Sequence, residues 1–498
     1  MTSTVDVPHL RLDPSLRTFA GPGGGTTVAG GQPGRVLRLG RTGEAAFRRL
    51  VAASTDRREG RRGTADVPPG ADDALLAGRL VEAGMAHPRP RRGLDVRGRV
   101  TVVVPVRDRA HDLERCLGAL GRSASVIVVD DGSADPAAIG DVCRRHGAGV
   151  IRRERSGGPG AARNDGWAAA TTELVAFVDS DCVVPDGWLG DLAGWFDDPG
   201  VVAVAPRVRP AGRREDHRVL ARFEASHGPL DLGGRAGPVG PGRAVAYVPT
   251  TALVVRRDLP GIRFDTALRY GEDVDLVWRL GESGSTVRYD PDVVVHHREP
   301  RTWAGTLARR FRYGTSAAPL ARRHRGRPAA VEVRPVPAAI TLLALAGLPS
   351  LATATLVVAA GRLAHRVRPF AIPAPVAASW VASGAWWTAI GLGRSATMLA
   401  SPALAVAAAG RLPGGHGRWA ARFLLLAPPL VDWWRLRPDL DPVRWTLASA
   451  ADDVAYGLGV WAGCLSHRTA APLLIRVTRQ RDRGTGSPAD ASTSGSPA

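Results

Sequence analysis

A chain of 498 residues has room for two or three domains, and its formal charge of +19 at first invites a nucleic-acid partner. All 66 basic residues are arginine, asparagine occurs once, and no long basic stripe is interleaved with aromatics. The basic excess therefore reads as the codon choice of a GC-rich genome, and no nucleic acid is expected as a partner. The four cysteines, Cys116, Cys143, Cys182 and Cys464, form no Cys-x-x-Cys pair, which sets aside disulfides and thiolate metal sites.

Residues 1–95 read as a small accessory domain. The first residues lack the basic and apolar stretches of a signal peptide, so the catalytic parts are expected in the cytosol. Thr26-Thr27-Val28 and Arg35–Leu39, set among Gly-rich turns, suggest a hairpin. Amphipathic helices are expected at Thr42–Ala53 and Asp72–Ala83, the second capped by Gly84. Helices plus a hairpin at this size resemble a winged-helix or PqqD-like peptide-recognition module; a generic accessory domain is the alternative.

Residues 96–330 alternate apolar strands with helical stretches, the pattern of a mostly parallel α/β sheet. Strands are expected at Val100–Val104, Val126–Val129, Leu174–Val178 and Val201–Ala205, with a helix over Ala110–Leu120 that buries Leu113, Leu117 and Leu120. Two of these strands stop on acids. Asp130-Asp131-Gly132-Ser133 follows the second, where one carboxylate can accept the N3–H of a uracil and the other can hold ribose hydroxyls; a helix-capping turn is the alternative. Asp179-Ser180-Asp181 follows the third, at the sheet edge where ligands dock, and paired carboxylates there suit Mg²⁺ or Mn²⁺ gripping a diphosphate. Asp181 is the favoured direct ligand, with Asp179 facing the ribose or a metal-bound water. Between them, Ser156-Gly157-Gly158-Pro159-Gly160 opens a helix whose free N–H groups suit phosphate or base edges. Arg163 is placed to reach a diphosphate or base, and Asn164, the chain's single asparagine, is assigned to the same donor side.

From residue 331 the character changes. Ala338–Ala360 holds 23 residues without a charge and Phe370–Gly393 holds 24, each long enough to cross a ~30 Å hydrocarbon core. Arg362, Arg366 and Arg368 crowd the loop between them, which a spanning hairpin would place against the positive-inside tendency. Residues 331–482 are therefore expected to be a hydrophobic, helical, membrane-associated region of open topology. The Gly/Ser/Pro-rich residues 483–498 are expected to be a disordered tail.

The order strand-Asp-Asp, Gly-rich Arg-Asn, strand-Asp-x-Asp resembles the family 2 inverting glycosyltransferases of the GT-A fold over roughly residues 99–315. The match opens at Val102-Val103-Val104-Pro105-Val106-Arg107-Asp108 and extends to Gly271-Glu272-Asp273-Val274-Asp275. The resemblance implies a nucleotide-sugar donor bound by Pro105, Asp130, Asp131, Arg163, Asn164 and Asp179. It implies that Asp273 is the general base, oriented by Glu272 or Asp275, and that a divalent cation sits on Asp181 and Asp179. His296 or His297 matches the position of a metal-ligating imidazole, with His296 taken as the ligand. Arg309-Arg310-Phe311-Arg312-Tyr313 resembles a degenerate Gln-x-x-Arg-Trp motif, in which Arg312 would clamp the diphosphate and Tyr313 would stack on the acceptor. The three-part organisation is similar to the glycosyltransferases of the actinobacterial mycofactocin system. This implies transfer of glucose from UDP-glucose, as a β-1,4 chain, to a peptide-derived acceptor by an enzyme at the cytoplasmic side of the cell membrane. A membrane glycosyltransferase for cell-wall or lipid-linked polysaccharide, and an inactive peptide-binding scaffold, are the competing readings.

Overall fold

The run Val100–Val106 is apolar but for Thr101 and buried at all positions but one, so its backbone polar groups can be satisfied only inside a covered sheet. In the computed structural model it pairs in parallel with Ser125–Asp130 on one side and Leu174–Val178 on the other. The residues described are 9–21, 25–31, 34–55, 65–66, 70–212, 218–259, 262–324, 327–410 and 415–478; the tail expected after Arg483 lies outside them. From one edge, the main path of the central sheet runs Cys182–Val183, Thr286–His297, Val201–Pro210, Ala252–Arg256, Leu174–Val178, Val100–Val106, Ser125–Asp130 and Gly149–Arg152. Four of the seven pairings along this path are parallel. Ala252–Arg256 is antiparallel to both of its neighbours, and Cys182–Val183 is antiparallel to the end of Thr286–His297.

Side chains alternate across such a sheet, and the two faces build two cores. Val102, Val104 and Val106 face the helix Ala110–Leu120, whose Leu113, Leu117 and Leu120 are buried as the spacing predicts. Val103 and Phe177 face the other way, toward Leu276 and Trp278 of the helix Glu272–Glu282. This is the GT-A architecture, with the ends of Val100–Val106 and Leu174–Val178 opening on one cleft.

The expected N-terminal hairpin is present as Thr26–Gly30 against Arg35–Leu39, widened to three strands by Arg17–Ala20. The helices Arg41–Thr55 and Ala71–Glu82 pack Phe47, Leu50, Leu76 and Leu80 with Leu10, Val28 and Met85 into a separate small core. Gly84 follows the second helix at φ +66°, a conformation suited to glycine. Asp13 ties this part to the catalytic sheet: its buried carboxylate accepts from Arg235 at 2.8 Å and meets His87 Nε2 at 2.9 Å.

The C-terminal helices depart from the expected pair of spans. Ala338–Ala360 is not one helix. Gly347, at φ +77°, and Pro349, which has no N–H to continue a helix, divide it into Pro335–Leu345 and Pro349–Val367. The second span lies within Ala374–Ala408, the one helix among the described residues long and apolar enough to cross a membrane, kinked at Ala400 two residues before Pro402. The arginine-rich loop before it does not stand apart. Leu363, Val367 and Phe370 pack on Phe19 and Val36 of the N-terminal hairpin. Helix Pro442–Ser466 runs along Trp303–Thr315 of the catalytic region, with Gly459 and Gly463 at the close contacts, while Gly457 meets Met398 of Ala374–Ala408.

Candidate active site

A cavity of about 620 Å³ opens at the strand ends that carry the acidic motifs, and Pro105, Asp131, Asp179, Asp181, Asp273 and Tyr313 all line it. Within this shared space the individual side chains do different work from what their order in the chain suggests.

Asp130 is not in the cavity wall. It is buried beneath the turn, accepting from the Ser133 N–H at 2.9 Å and from Arg152 Nη1 at 2.6 Å, so it shapes the turn instead of meeting a base or ribose. Asp131 does reach the wall, yet its carboxylate accepts from Ser156 Oγ at 2.7 Å and from the Gly157 and Gly158 N–H groups, both at 2.9 Å. The glycine-rich N–H groups expected to face a phosphate are thus spent on the protein's own carboxylate, an anion nest filled from within. The fit is close: Gly132 sits at φ +77°, where an added Cβ would lie 2.9 Å from the Ser156 nitrogen.

Arg163 and Asn164 likewise point inward. Arg163 is fully buried, donating from Nη1 to Glu272 Oε1 at 2.9 Å and from Nη2 to Asp179 Oδ1 at 2.6 Å. It joins the strand-end acid to the helix acid, and it also lines the cavity. Asn164 grips the main chain of Phe264, donating from Nδ2 to its carbonyl and accepting its N–H, each at 2.9 Å. The Phe264 ring lies under the Arg163 guanidinium at 5.5 Å, so Asn164 supports the arginine and not the ligand.

The second Asp of Asp-x-Asp sits in cationic company. Asp181 is ion-paired with Arg109, and its Oδ1 is 3.3 Å from His297 Nε2, while His297 Nδ1 meets Glu299 Oε1 at 3.1 Å. Burial raises the Asp181 pKa, but His297 and Arg109 more than offset this and hold it at about 2. Burial likewise opposes the charged imidazole, and the two carboxylates overcome it, lifting His297 to about 10. The histidine in place is His297 and not His296. The antiparallel register sets His297 opposite Cys182, next to Asp181, and its neighbour on the strand is exposed on the other face. Glu299 in turn pairs with Arg309, so the residue standing where the motif has Gln braces the histidine.

Glu272 and Asp273 open their helix from Gly271, which holds φ +81°. Burial first, then the charge of Asp273, pushes Glu272 up to about 7 against the pull of Arg163. Asp273 is raised by burial, opposed by the Val274 N–H and by Arg163. Asp275 faces away, held by Arg279 Nε at 2.8 Å and His324 Nε2 at 2.9 Å, which leaves Glu272 as the carboxylate beside Asp273. One residue is 100° on a helix, and that separates the expected clamp from the cavity: Arg312 is exposed, whereas Arg310 and Tyr313 line the wall. Sequence reasoning also missed Arg109, Glu299, Tyr247 and Tyr456. For the tyrosines a signal existed, since the chain has only five.

Among the described residues no group of three or more His, Cys, Asp or Glu side chains is arranged to hold a metal ion. The donor chemistry nevertheless fits a hard divalent cation. Asp179 and Asp181, carboxylates one residue apart, both line the cavity, and a cation bound there would take the place of the Arg109 charge that now pairs with Asp181.

The family model described as "Glycosyl transferase family 2" matches residues 101–259, from the first sheet strand to just past Ala252–Arg256. The "Pre-mycofactocin glycosyltransferase" of Mycobacterium tuberculosis is 38% identical over 473 residues, covering 91% of this chain and 95% of that protein. The "Succinoglycan biosynthesis protein ExoU" of Rhizobium meliloti is 30% identical over 209 residues, covering 37% of this chain and 58% of that one. Among solved structures, the mannosyltransferase PcManGT from Pyrobaculum calidifontis, in complex with GDP-Man and Mn²⁺, is 20% identical with a TM-score of 0.42, covering 84% of this chain and 97% of that one. The mycobacterial match runs nearly end to end, through the accessory and C-terminal helical regions as well as the catalytic sheet, and the chain belongs to glycosyltransferase family 2, in its mycofactocin-system branch.

Proposed function

We propose that this cavity transfers glucose from UDP-glucose, with inversion, to pre-mycofactocin, a peptide-derived acceptor, and extends it as a β-1,4-linked glucose chain. The observation that carries the reading is the placing of Asp273, with its raised pKa, in one cavity with Asp179 and Asp181. A proton acceptor and a diphosphate-side acidic pair then flank the space a sugar would occupy. In the step, the acceptor oxygen attacks the anomeric carbon from the face opposite the diphosphate. Its proton passes to the Asp273 carboxylate, the anomeric C–O bond breaks, and UDP leaves with the electron pair. Glu272, fixed by Arg163, holds the helix end in place. Asp181, with Asp179, would bind Mg²⁺ or Mn²⁺, which when bound would offset the charge developing on the diphosphate, while His297 stays the cation that orients Asp181. Pro105 and Asp131 form the wall for the nucleoside end. The apolar Ala374–Ala408 helix and the exposed Trp386, Trp387 and Trp434 support attachment to a membrane, which we take to be the cytoplasmic side of the cell membrane.

Mass spectrometry of the purified protein with pre-mycofactocin and a panel of UDP-glucose, UDP-galactose and GDP-mannose tests the assignment. A hexose added from UDP-glucose alone is expected; no transfer from any donor would sink the reading. Chelation with EDTA is expected to stop turnover and added Mn²⁺ or Mg²⁺ to restore it. Asp181→Ala should lower kcat by about 10²–10³-fold, on the scale of losing one preorganised charge-stabilising group, and should not respond to added metal.

The pH dependence has a defined sign. Burial favours the protonated carboxyls, and the base must be ionised, so kcat/KM should rise with pH through an apparent pKa, above the usual carboxylate range, belonging to the Glu272–Asp273 pair. Glu272→Gln removes one negative charge beside Asp273, and the acid limb should move to lower pH. For stability the direction reverses. The folded state holds the Glu272 proton more tightly than the unfolded chain, so this group's contribution is lost as pH rises through about 7. A limb that stays put in Glu272→Gln would separate Glu272 from the base.

A further inference from the structure

Of the chain's five tyrosines, four line the cavity: Tyr247, Tyr270, Tyr313 and Tyr456. The fifth, Tyr289, is a buried core residue whose hydroxyl donates to the Gly233 carbonyl at 2.7 Å. Among the described residues no side-chain or main-chain group of the protein hydrogen-bonds the hydroxyls of the other four, although each of these residues is half-buried. Facing the cavity, these four hydroxyls are free to hydrogen-bond water or a ligand. Three of them gather round the base. Tyr247, Tyr313 and Tyr456 share the cavity wall with Asp273, and burial first, with the charge of Asp273 adding to it, raises the pKa of both Tyr247 and Tyr313.

Tyr456 comes from the Pro442–Ser466 helix, far outside the stretch matched by the family model, yet its position is tightly defined. A Cβ on Gly459 would run into the Phe311 carbonyl oxygen, and one on Gly314 would run into the Tyr456 carbonyl oxygen, so the two helices touch backbone to backbone. On the cavity side the Arg310 guanidinium lies 5.1 Å from the Tyr456 ring centre and is anchored by Asp452 Oδ1 at 2.7 Å. The Tyr456 main chain is therefore fixed against the neighbouring helix and the Arg310 cation lies over one face of the ring, which holds the ring in place.

We propose that Tyr456 and Tyr247 complete, with Tyr313, a three-ring seat for the acceptor, so that the C-terminal helix forms part of the acceptor site as well as carrying the apolar surface. The ligand chemistry is a neutral ring with an apolar face and one hydroxyl turned toward Asp273. The ring is either aromatic, in an acceptor that has no sugar yet, or the pyranose of the sugar added last. This rests on the transferase reading above.

The test compares wild type, Tyr456→Ala and Tyr456→Phe with UDP-glucose and two acceptors, pre-mycofactocin and pre-mycofactocin already carrying one hexose, alongside UDP release without acceptor. Tyr456→Ala should raise the acceptor KM about tenfold, the scale of one lost stacking contact, while the donor KM and acceptor-free UDP release stay within about twofold. Tyr456→Phe, which keeps the ring, should restore most of the acceptor KM. A rise confined to the sugar-free acceptor identifies the aromatic ring, and one confined to the glycosylated acceptor identifies the pyranose; either supports the seat. An unchanged acceptor KM in Tyr456→Ala overturns the proposal. So does a parallel fall in acceptor-free UDP release, which marks Tyr456 as a packing residue only. If wild type transfers to neither acceptor, the transferase reading fails first and takes this seat with it.

Discussion

Asp273→Asn is expected to lower kcat for sugar transfer by about 10²–10⁴-fold, the range that a positioned general base contributes, with UDP affinity held within about twofold. The substitution keeps the size of the side chain and removes only its capacity to take a proton. The local structure should tolerate it well. Asp273 sits in a buried environment that penalises charge, and the Val274 N–H that its carboxylate accepts at 2.8 Å can still be met by an amide oxygen. A more stable but inactive protein is thus the signature of a base placed where chemistry, not folding, requires it. Isothermal titration of UDP with each protein, beside initial rates of transfer, separates binding from turnover. Retained turnover in Asp273→Asn would assign the proton transfer to another group, and Glu272, with its pKa near 7, would be the first to examine.

The strands and helices of the catalytic sheet are readable from the sequence because their signals are local. Val100–Val106 and Leu174–Val178 are apolar runs that end on polar turns, and Leu113, Leu117 and Leu120 recur at helical spacing. The position of the site is readable for the same reason: acids at strand ends converge on one edge of a parallel sheet. What the sequence does not carry is where each side chain points once neighbours arrive. Asp130 and Asp131 are adjacent, yet one is sealed by Arg152 and the other by the glycine-rich turn, partners 22 to 27 residues away. Asn164 spends its amide on Phe264, 100 residues on. The choice between His296 and His297 depends on the register of a two-residue strand, and that between Arg310 and Arg312 on which face of the helix Trp303–Thr315 is covered. The broken span at Gly347 was hidden for the opposite reason, since an uncharged run registers as continuous even where Gly and Pro interrupt its backbone.

Arg163→Met should be the most damaging substitution to the fold near this site, at about 3–5 kcal/mol, the cost of leaving buried acids without their cation. The arginine is fully buried and is the shared partner of Asp179 and Glu272, and methionine fills much of the same space without charge. Arg163→Lys should fall between, because a single ammonium cannot span two carboxylates that the forked guanidinium reaches with separate nitrogens. The pH dependence distinguishes this electrostatic account from simple loss of packing. With the cation gone, both carboxylates should titrate at higher pH in the folded protein. Folding then takes up protons, and the deficit should shrink as pH falls through the carboxylate range and the two acids become neutral. Urea midpoints of wild type and Arg163→Met at pH 7.5 and at about pH 5 make the comparison; a deficit equally large at both would place the role of Arg163 in its contacts with Phe264 and not in its charge.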